Sequence, residues 1–116
     1  RYAHLIVLRR TESYGVFKTD GELNTARVAA SLDDSTPMTR LTIFKRKQST
    51  PERLTGRELL RRYGIQNDIK TKTNKDCEYN VSFCGMCPDD VLYGYAIGDS
   101  GSEKSKVYVD TSYSLT

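Results

Sequence analysis

One short segment carries a nearly complete helix signature, and it constrains the fold more than any other part of the chain. Thr50, Pro51 and Glu52 are typical of a helix N-terminus, where a hydroxyl caps free amides, proline needs no amide hydrogen and an acid lies beside the positive end of the dipole. Gly64 is a common residue just past a helix C-terminus. These signals predict a helix over residues 50–63.

The predicted helix has one apolar face. Leu59, Leu60 and Tyr63 fall on the same side at the helical repeat, and Gly56 joins them where a missing side chain allows close packing. Glycine at such a position costs about 1 kcal/mol of helix stability relative to alanine. We expect this face to be buried against the rest of the domain.

Positive charge is concentrated in this helix and just before it. Residues 45–62 contain seven basic and two acidic residues, although the whole chain carries a net charge of only +3. The rest of the chain is therefore slightly acidic. A solvated helix face is the ordinary explanation, but a concentrated basic stripe is also typical of proteins that bind polyanions.

The spacing of three arginines favours the polyanion interpretation. Arg53, Arg57 and Arg61 lie at i, i+4 and i+8, so they line one ridge away from the apolar face, where like charges repel. Bound phosphates would relieve this repulsion because the arginine fork matches phosphate oxygens. An exposed loop before the helix is expected to extend the row. The predicted nucleic-acid-binding surface comprises Lys45, Arg46, Lys47, Gln48, Arg53, Arg57 and Arg61.

The remainder of the chain favours short strands and loops, because β-branched and aromatic residues are frequent in several short segments. The predicted strands are residues 4–10, 41–44, 79–83, 91–97 and 107–115, with a loop at 11–27, a short helix within 23–32 and a surface connection at 70–76. This order predicts one α+β domain over residues 1–116, an antiparallel sheet with a helix on one face.

Three cysteines and an aspartate form a second group with a chemical signature. Cys77, Cys84 and Cys87 are followed by Asp90, and the turn between Cys84 and Cys87 can direct two sulfurs at one metal ion. Zinc would need a fourth ligand, for which Asp90 or His4 is available. Such a site would stabilise the fold rather than catalyse a reaction.

Two other interpretations of the cysteines stay open. They are free thiols in a reducing cytosol or, for Cys84 and Cys87, a redox pair. A redox pair needs a helix that begins at its second cysteine, whereas the residues from Pro88 onward favour a strand. A structural zinc site in a small insertion around residues 77–90 is the preferred prediction.

A glycine- and serine-rich turn with two lysines is the third notable feature. Residues 93–107 resemble a phosphate-binding loop only superficially, because the glycine spacing differs from that of a P-loop and no helix is predicted to follow. A hairpin turn is the ordinary explanation. Glycines also let a backbone approach a sugar-phosphate chain, so we add Lys104 and Lys106 to the predicted surface. Tyr93 and Tyr95 could stack on bases, although alternating tyrosines on a strand more often belong to a core.

No apolar run approaches the roughly 18 residues that a membrane-spanning helix needs. We therefore expect no membrane association and a cytoplasmic location. Both ends of the sequence have the alternating pattern of strands that continue. We expect the chain to be a fragment, or the ordered part, of a longer protein.

Four stretches together resemble a known family. They are Phe17-Lys-Thr-Asp-Gly-Glu-Leu-Asn24, the segment from Phe44 to Leu60, Cys77-Glu-Tyr-Asn80, and Tyr93-Gly-Tyr-Ala-Ile-Gly-Asp-Ser-Gly-Ser-Glu-Lys-Ser-Lys-Val107. They span nearly the whole chain, and the block at 98–107 is specific. The sequence resembles the repeated backbone subunit of type I-D CRISPR surveillance complexes, in a superfamily with an RRM-like core. Members of this family are longer, so the resemblance implies that this chain is an N-terminal fragment.

The resemblance implies a protein that polymerises with copies of itself along CRISPR RNA and, with other effector subunits, presents the guide to a target DNA or RNA strand. Base pairing would supply the sequence specificity while the protein grips the RNA backbone. Residues 45–61 would be the guide-binding surface, and the Gly98 loop would support the RNA or a neighbouring copy. In related sequences with a metal site here, a cysteine tends to stand where this chain has Asp90.

Two alternatives follow from the same residues. Relatives in type III complexes cleave target with an aspartate in the loop after the first strand, and Asp20 occupies a comparable place, with Glu22 as a second metal-binding candidate. An Asp-Gly pair is more commonly a turn, so we expect a non-catalytic subunit. The other alternative is a stand-alone, zinc-stabilised RNA-binding module.

Overall fold

The computed structural model describes residues 1–66, 77–96, 98 and 101–115. The elements are strands β1 (Lys18–Thr19), β2 (Glu22–Leu23), β3 (Thr25–Ala29), β4 (Pro37–Ile43), β5 (Tyr95–Ala96), β6 (Ser102–Glu103) and β7 (Ser112–Tyr113), and helices α1 (Lys45–Arg62) and α2 (Pro88–Tyr93). The strands group as β1-β2, β3-β4-β7 and β5-β6. The predicted α+β class, with antiparallel pairing and one main helix, is confirmed.

The chain forms two compact units, Arg1–Thr42 with Tyr113–Thr116, and Ile43–Ser112. Helix α1, the three cysteines and helix α2 all belong to the second unit. Neither described helix is long and apolar enough to cross a membrane.

A tight hairpin formed by β1 and β2 lies in the first unit. Thr19 pairs with Glu22, which leaves Asp20 and Gly21 as a two-residue loop with φ angles of 55° and 88°. Positive φ at both central positions is characteristic of a type I′ turn, for which Asp-Gly is a favoured pair. The geometry therefore accounts for this Asp-Gly pair as a turn.

The longest strands, β3 and β4, pair antiparallel with Thr25 opposite Leu41. Exposure alternates along β3, where Ala26 and Val28 are half-buried between exposed neighbours. This period of two is that of a strand, so the short helix predicted within 23–32 is wrong. The predicted strand at 41–44 is confirmed as the end of β4.

No strand forms at residues 4–10, where one was predicted. Leu5 and Ile6 are 91% and 97% exposed, and the segment pairs with none of the described strands. A strand needs a neighbour for its backbone amides and carbonyls. The alternating pattern at 4–10 therefore lacks, among the described residues, the partner that would make it a strand.

Helix α1 begins five residues earlier than its sequence signals predict. Phe44 precedes its first turn with an extended backbone and no side-chain cap, and Pro51 lies inside the helix rather than at its first position. Proline has no amide hydrogen, so the Lys47 carbonyl lacks its usual helical partner. The C-terminus is as predicted, because Tyr63 caps the helix and Gly64 follows with a φ of 73°.

The buried side of α1 is polar, and the predicted apolar face is wrong. Gln48 and Arg57 are buried, whereas Leu59 and Tyr63 are exposed and Leu60 is half-buried. A Cβ at Gly56 would meet open space, so this glycine does not serve close packing. The groups packed beside α1 are polar and charged, so the polar face of the helix is the one that is buried.

The second half of the chain contains less strand than predicted. In place of the strand predicted at 79–83, residues 79–81 form a turn closed by a bridge between Glu78 and Ser82. Only part of 107–115 is a strand. Of the strand predicted at 91–97, the described residues 91–96 begin as the end of α2 and continue into β5. Pro88 opens α2 with acids in its first turn, which are helix signals that outweigh the strand propensity of the following residues. The predicted connection at 70–76 lies outside the described residues.

The buried residues of the described chain are cysteines and polar or charged residues rather than large aliphatic side chains. The buried cysteines are Cys77, Cys84 and Cys87, with Phe83 packed beside them. The buried polar and charged residues are Asn24, Thr42, Gln48, Arg57, Asp89 and Asp90. Stability in this part of the molecule must therefore depend strongly on polar pairing.

Two glycines give a matched test of this fold. A Cβ at Gly94, which ends α2 with a φ of 71°, would lie 2.6 Å from the Ser105 amide nitrogen. We expect Gly94→Ala to lower the free energy of unfolding by at least about 2 kcal/mol. Gly56→Ala, in the open interior of α1, should raise it by about 0.5–1 kcal/mol. Urea denaturation measures both, and similar effects at the two positions would contradict this packing.

Candidate metal centre and basic helix

Three cysteines and one aspartate converge in the second unit. One ligand atom from each of Cys77, Cys84, Cys87 and Asp90 lies within 4.8 Å of the others. Of the two candidates for a fourth ligand, Asp90 is the one that belongs to this group, and His4 does not. The predicted gathering of the cysteines with Asp90 is confirmed, and the group could bind a metal ion.

Local backbone geometry brings these atoms together. Gly85 has a φ of 72°, which turns the chain so that the amides of Met86 and Cys87 donate to Cys84 Sγ at 3.4 and 3.2 Å. Cys87 caps α2 by accepting from the Asp90 amide at 3.4 Å. Amide donors to sulfur favour the thiolate, the form that binds metals.

The ligand atoms are close but not bonded to one another. The sulfurs of Cys77 and Cys87 are 3.6 Å apart, far beyond the roughly 2.05 Å of a disulfide. Asp90 Oδ2 lies 3.4 Å from the sulfurs of both Cys77 and Cys84 and accepts from the Gly85 amide at 2.8 Å. All three cysteines are free.

Burial raises the pKa of both Cys84 and Cys87 above the usual thiol value. Without a metal these thiols are therefore protonated at neutral pH, and metal binding must release their protons.

The prediction that no helix begins at Cys87, which was the reason to doubt a redox pair, is wrong. A helix does begin at Cys87, because α2 starts at the next residue. The chemistry nevertheless disfavours the redox interpretation, since reactive cysteines have lowered pKa values and access to solvent, whereas the pKa of Cys87 is raised and its side chain is fully buried.

Arg57 connects helix α1 to this cluster. Its side chain is 2% exposed, and its Nη1 lies 2.6 Å from Asp89 Oδ2 and 3.8 Å from Asp90 Oδ1. The same guanidinium donates to the Cys77 carbonyl at 2.7 Å and contacts Cys77 Sγ at 3.5 Å. Burial alone would lower the pKa of Arg57, but its hydrogen bonds to Asp89 and Cys77 raise it.

Arg53 is paired to the same carboxylate. Its Nε and Nη2 donate to Asp89 at 3.0–3.1 Å, and its side chain is 13% exposed. Its guanidinium carbon lies 5.1, 5.2 and 5.7 Å from the ring centroids of Tyr79, Phe83 and Tyr93. Such distances allow cation–π attraction.

The expectation that Arg53 and Arg57 face outward is therefore wrong. Mutual repulsion along the ridge is relieved by Asp89 and Asp90 within the protein, so no bound phosphate is needed to explain the spacing. Arg61 alone of the three is exposed, and it pairs with Glu58 at 3.2 Å.

Gln48 also departs from its expected role. It is buried in the first turns of α1, where its Nε2 donates to the carbonyls of Ile43 and Asp110 at 3.0 and 2.9 Å. Its Oε1 accepts from the Ser112 hydroxyl at 2.7 Å. Gln48 thus fixes the start of α1 and does not belong to an exposed loop.

Several of the predicted cations remain exposed. Arg46 and Lys47 are exposed and form no ion pair with any residue that the structure describes. Lys45 lies 3.5 Å from the carboxylate of Asp110, and both side chains are exposed. The exposed cations of the predicted surface are Lys45, Arg46, Lys47, Arg61, Lys104 and Lys106.

The two lysines after Gly98 do not act alike. Lys106 pairs with Glu103 at 2.6 Å and donates to the Val91 carbonyl at 3.0 Å, so it is tied to the protein. Lys104 is exposed without an ion pair to the described residues.

Asp89 was not among the site residues predicted from the sequence. It lies in a helix that was not predicted and belonged to no predicted motif. In the sequence it is 32 residues after its partner Arg57. The signal available was the Pro88-Asp89-Asp90 run, because adjacent acids after proline are typical of a helix N-terminus.

Asp20 and Glu22 are exposed in the β1–β2 hairpin. Neither belongs to a group of three or more potential ligands among the residues that the structure describes. Whether they take part in catalysis stays a prediction, and the turn accounts for Asp20 without it.

Comparison with known proteins places these features in a family. The model of the Csc2 family, described as Csc2 Crispr, matches residues 1–116. The chain belongs to the Csc2 family of CRISPR proteins, and this membership supports a role in a CRISPR effector complex. No curated protein matches the chain.

The pairing of Arg57 predicts a large difference between two arginines of one helix. We expect Arg57→Leu to lower the free energy of unfolding by about 3–5 kcal/mol, because it leaves two buried carboxylates with one arginine. Arg61→Leu is the matched control and should cost less than about 1 kcal/mol, since it removes an exposed pair. Urea denaturation compares them, and equal losses would contradict the buried pairing.

Proposed function

We propose that the chain is a guide-RNA-binding backbone subunit of a type I-D CRISPR effector complex. Copies of it would line up along the CRISPR RNA, with other subunits, and hold the guide for pairing with a target strand. The role is structural rather than catalytic, and the cytoplasmic location expected from the sequence belongs to the same proposal. Membership of the Csc2 family is the observation that carries it.

The exposed start of α1 supports an RNA-binding role. Lys45, Arg46 and Lys47 occupy the first turn, where no acid is present and no side chain caps the free amides. Cations are unfavourable at this positive end of the helix dipole. Phosphate would satisfy the amides and the cations together, because helix N-termini are natural sites for anions.

The remaining cations of α1 contribute differently. Arg61 and Arg62 lie exposed in its last turn, where positive charge complements the helix dipole. They can add to the field that attracts RNA, but the local helix also explains them. We call the turn formed by Lys45, Arg46 and Lys47 the basic turn. It is the preferred guide contact.

Neutralising two residues of the basic turn tests the proposal. We expect Arg46→Gln with Lys47→Gln to weaken binding to single-stranded RNA of any sequence and to reduce the slope of log affinity against log salt by about 1.4, at about 0.7 per lost phosphate contact. Fluorescence anisotropy across a salt series measures both quantities. Static light scattering should also show wild-type assemblies whose mass grows with RNA length.

The control removes the same charge elsewhere. Lys18 and Arg27 are exposed in the first unit, outside the predicted surface. Lys18→Gln with Arg27→Gln should bind RNA nearly as tightly as the wild type. Equal losses of affinity in the two double variants would show that RNA binding depends on net charge and not on the basic turn. Assemblies whose mass does not change with RNA length would refute a backbone role.

We also propose that the cysteine and aspartate group holds a structural zinc ion. Zinc bonds of about 2.3 Å to sulfur and about 2.1 Å to oxygen put tetrahedral ligands about 3.6–3.8 Å apart. The distance between the sulfurs of Cys77 and Cys87 is 3.6 Å, and Asp90 Oδ2 lies 3.4 Å from two sulfurs. The residues present fit zinc, which would stabilise the turn and the start of α2.

Metal analysis tests the zinc proposal. We expect one zinc per chain by mass spectrometry, and Cys84→Ser should lose the metal and melt at a lower temperature because a ligand is removed. Met86→Ser, at an exposed position of the same turn, is the matched control and should retain zinc. A wild-type chain without zinc, whose melting a chelator leaves unchanged, would favour free thiols.

No observation favours target cleavage by Asp20 and Glu22. Their hairpin supplies two exposed carboxylates and, among the described residues, no third ligand. A stand-alone RNA-binding module would share the salt dependence of the proposed subunit, but it would not form assemblies that lengthen with the RNA. The light-scattering measurement separates these two functions.

A further inference from the structure

A cavity of about 300 Å³ lies in the second unit beside the basic turn. Lys45, Ser49 and Arg53 contribute to it from α1, and Tyr79 and Tyr93 contribute from the segments that follow. This volume is at the lower end of the range of about 300–1,000 Å³ for ligand sites in proteins. The cavity therefore suits one small group rather than a large ligand.

Several polar groups at the cavity lack partners. The hydroxyls of Tyr79, Tyr93 and Ser49 form no hydrogen bonds with the residues that the structure describes. Arg53 uses its Nε and Nη2 for Asp89, and its Nη1 donates to no residue in the described part of the chain. A ligand with acceptor atoms would satisfy these donors.

Charge divides the cavity into two parts. The Arg53 guanidinium pairs with Asp89 at 3.0 Å, and Arg57 and Asp90 beside it complete a balanced group of two cations and two anions, so the inner part has little net charge. Lys45, which also lines the cavity, pairs with Asp110 at 3.5 Å where both side chains are exposed, and such surface pairs are weak. The inner part fits a neutral group, whereas Lys45 fits an anion.

We infer that this cavity holds one base of a single-stranded RNA, with the base against Tyr79 and Tyr93 and its phosphate at Lys45; this rests on the proposed guide-binding function. Aromatic side chains are stacking platforms for bases of any identity. Base carbonyls and the ribose hydroxyl can accept from Arg53 and pair with the free hydroxyls. Burial, followed by the charges of Glu52 and Asp89, raises the pKa of Tyr93 above its ordinary value. A tyrosine hydroxyl is protonated at neutral pH and can donate.

The test compares RNA with and without bases. The full chain binds a labelled seven-nucleotide RNA and an abasic ribose-phosphate oligomer of equal length, measured by fluorescence anisotropy. We expect the wild type to bind the abasic oligomer about tenfold more weakly. Tyr79→Leu with Tyr93→Leu should bind the normal RNA about tenfold more weakly and should no longer discriminate between the two.

Tyr14→Leu with Tyr63→Leu is the matched control. Both tyrosines are exposed and lie outside the cavity, so this variant should retain the wild-type preference for RNA with bases. An equal loss of discrimination in the control would overturn the assignment of the base to this cavity.

Photo-crosslinking of 5-bromouridine RNA to the wild-type chain keeps the test valid if the leucine variant does not fold. We expect crosslinked peptides that contain Tyr79 or Tyr93. Crosslinks confined to residues away from the cavity would overturn the inference. Equal affinity of the wild type for the normal and the abasic oligomer would also overturn the inference. It would favour a peptide of a neighbouring subunit as the occupant of the cavity. Failure of the wild type to bind either oligomer would instead refute the guide-binding function, and the base site with it.

Discussion

The described part of the second unit depends on the buried pairing of two arginines with two aspartates. Arg57 reaches Asp89 at 2.6 Å with almost no solvent access, and Arg53 shares the same carboxylate. Burying a charge is unfavourable unless the group is paired and hydrogen-bonded. Removing one partner therefore leaves the other charge buried and uncompensated. The pairs therefore hold α1 against α2 in one register, because few other arrangements could satisfy all four charges.

The cysteine cluster and the arginine pairs form one electrostatic unit. With protonated thiols, two arginines balance Asp89 and Asp90. Three thiolates with a divalent ion would change this balance by only a single negative charge, and Arg57, which lies 3.5 Å from the sulfur of Cys77 and binds its carbonyl, places a positive charge beside the ligands. Outer groups of this kind orient ligands and tune a metal site. Helix α1, predicted from the sequence as an RNA-facing element, is thus also a support of the candidate metal centre.

Local signals in the sequence were sufficient for part of this structure. The α+β class, the end of α1 at Gly64 and the approach of Asp90 to the cysteines follow from capping, composition and spacing over a few residues. The orientation of α1 does not, because Asp89 lies 32 residues from Arg57. A row of arginines looks the same in sequence whether its partner is phosphate or a distant carboxylate. The segment at 4–10 failed for a related reason, since strand formation needs a partner that local propensity does not reveal.

The contacts of Gln48 determine how firmly the first turns of α1 are held. Pro51 interrupts the hydrogen bonding of α1 after its first turns, which would otherwise leave those turns prone to unwinding. The side chain of Gln48 replaces that support with bonds to Ile43, Asp110 and Ser112. The backbone that carries the ammonium and guanidinium groups ahead of the proline is consequently held in place, so an anion bound there as proposed would cost the protein little extra backbone entropy.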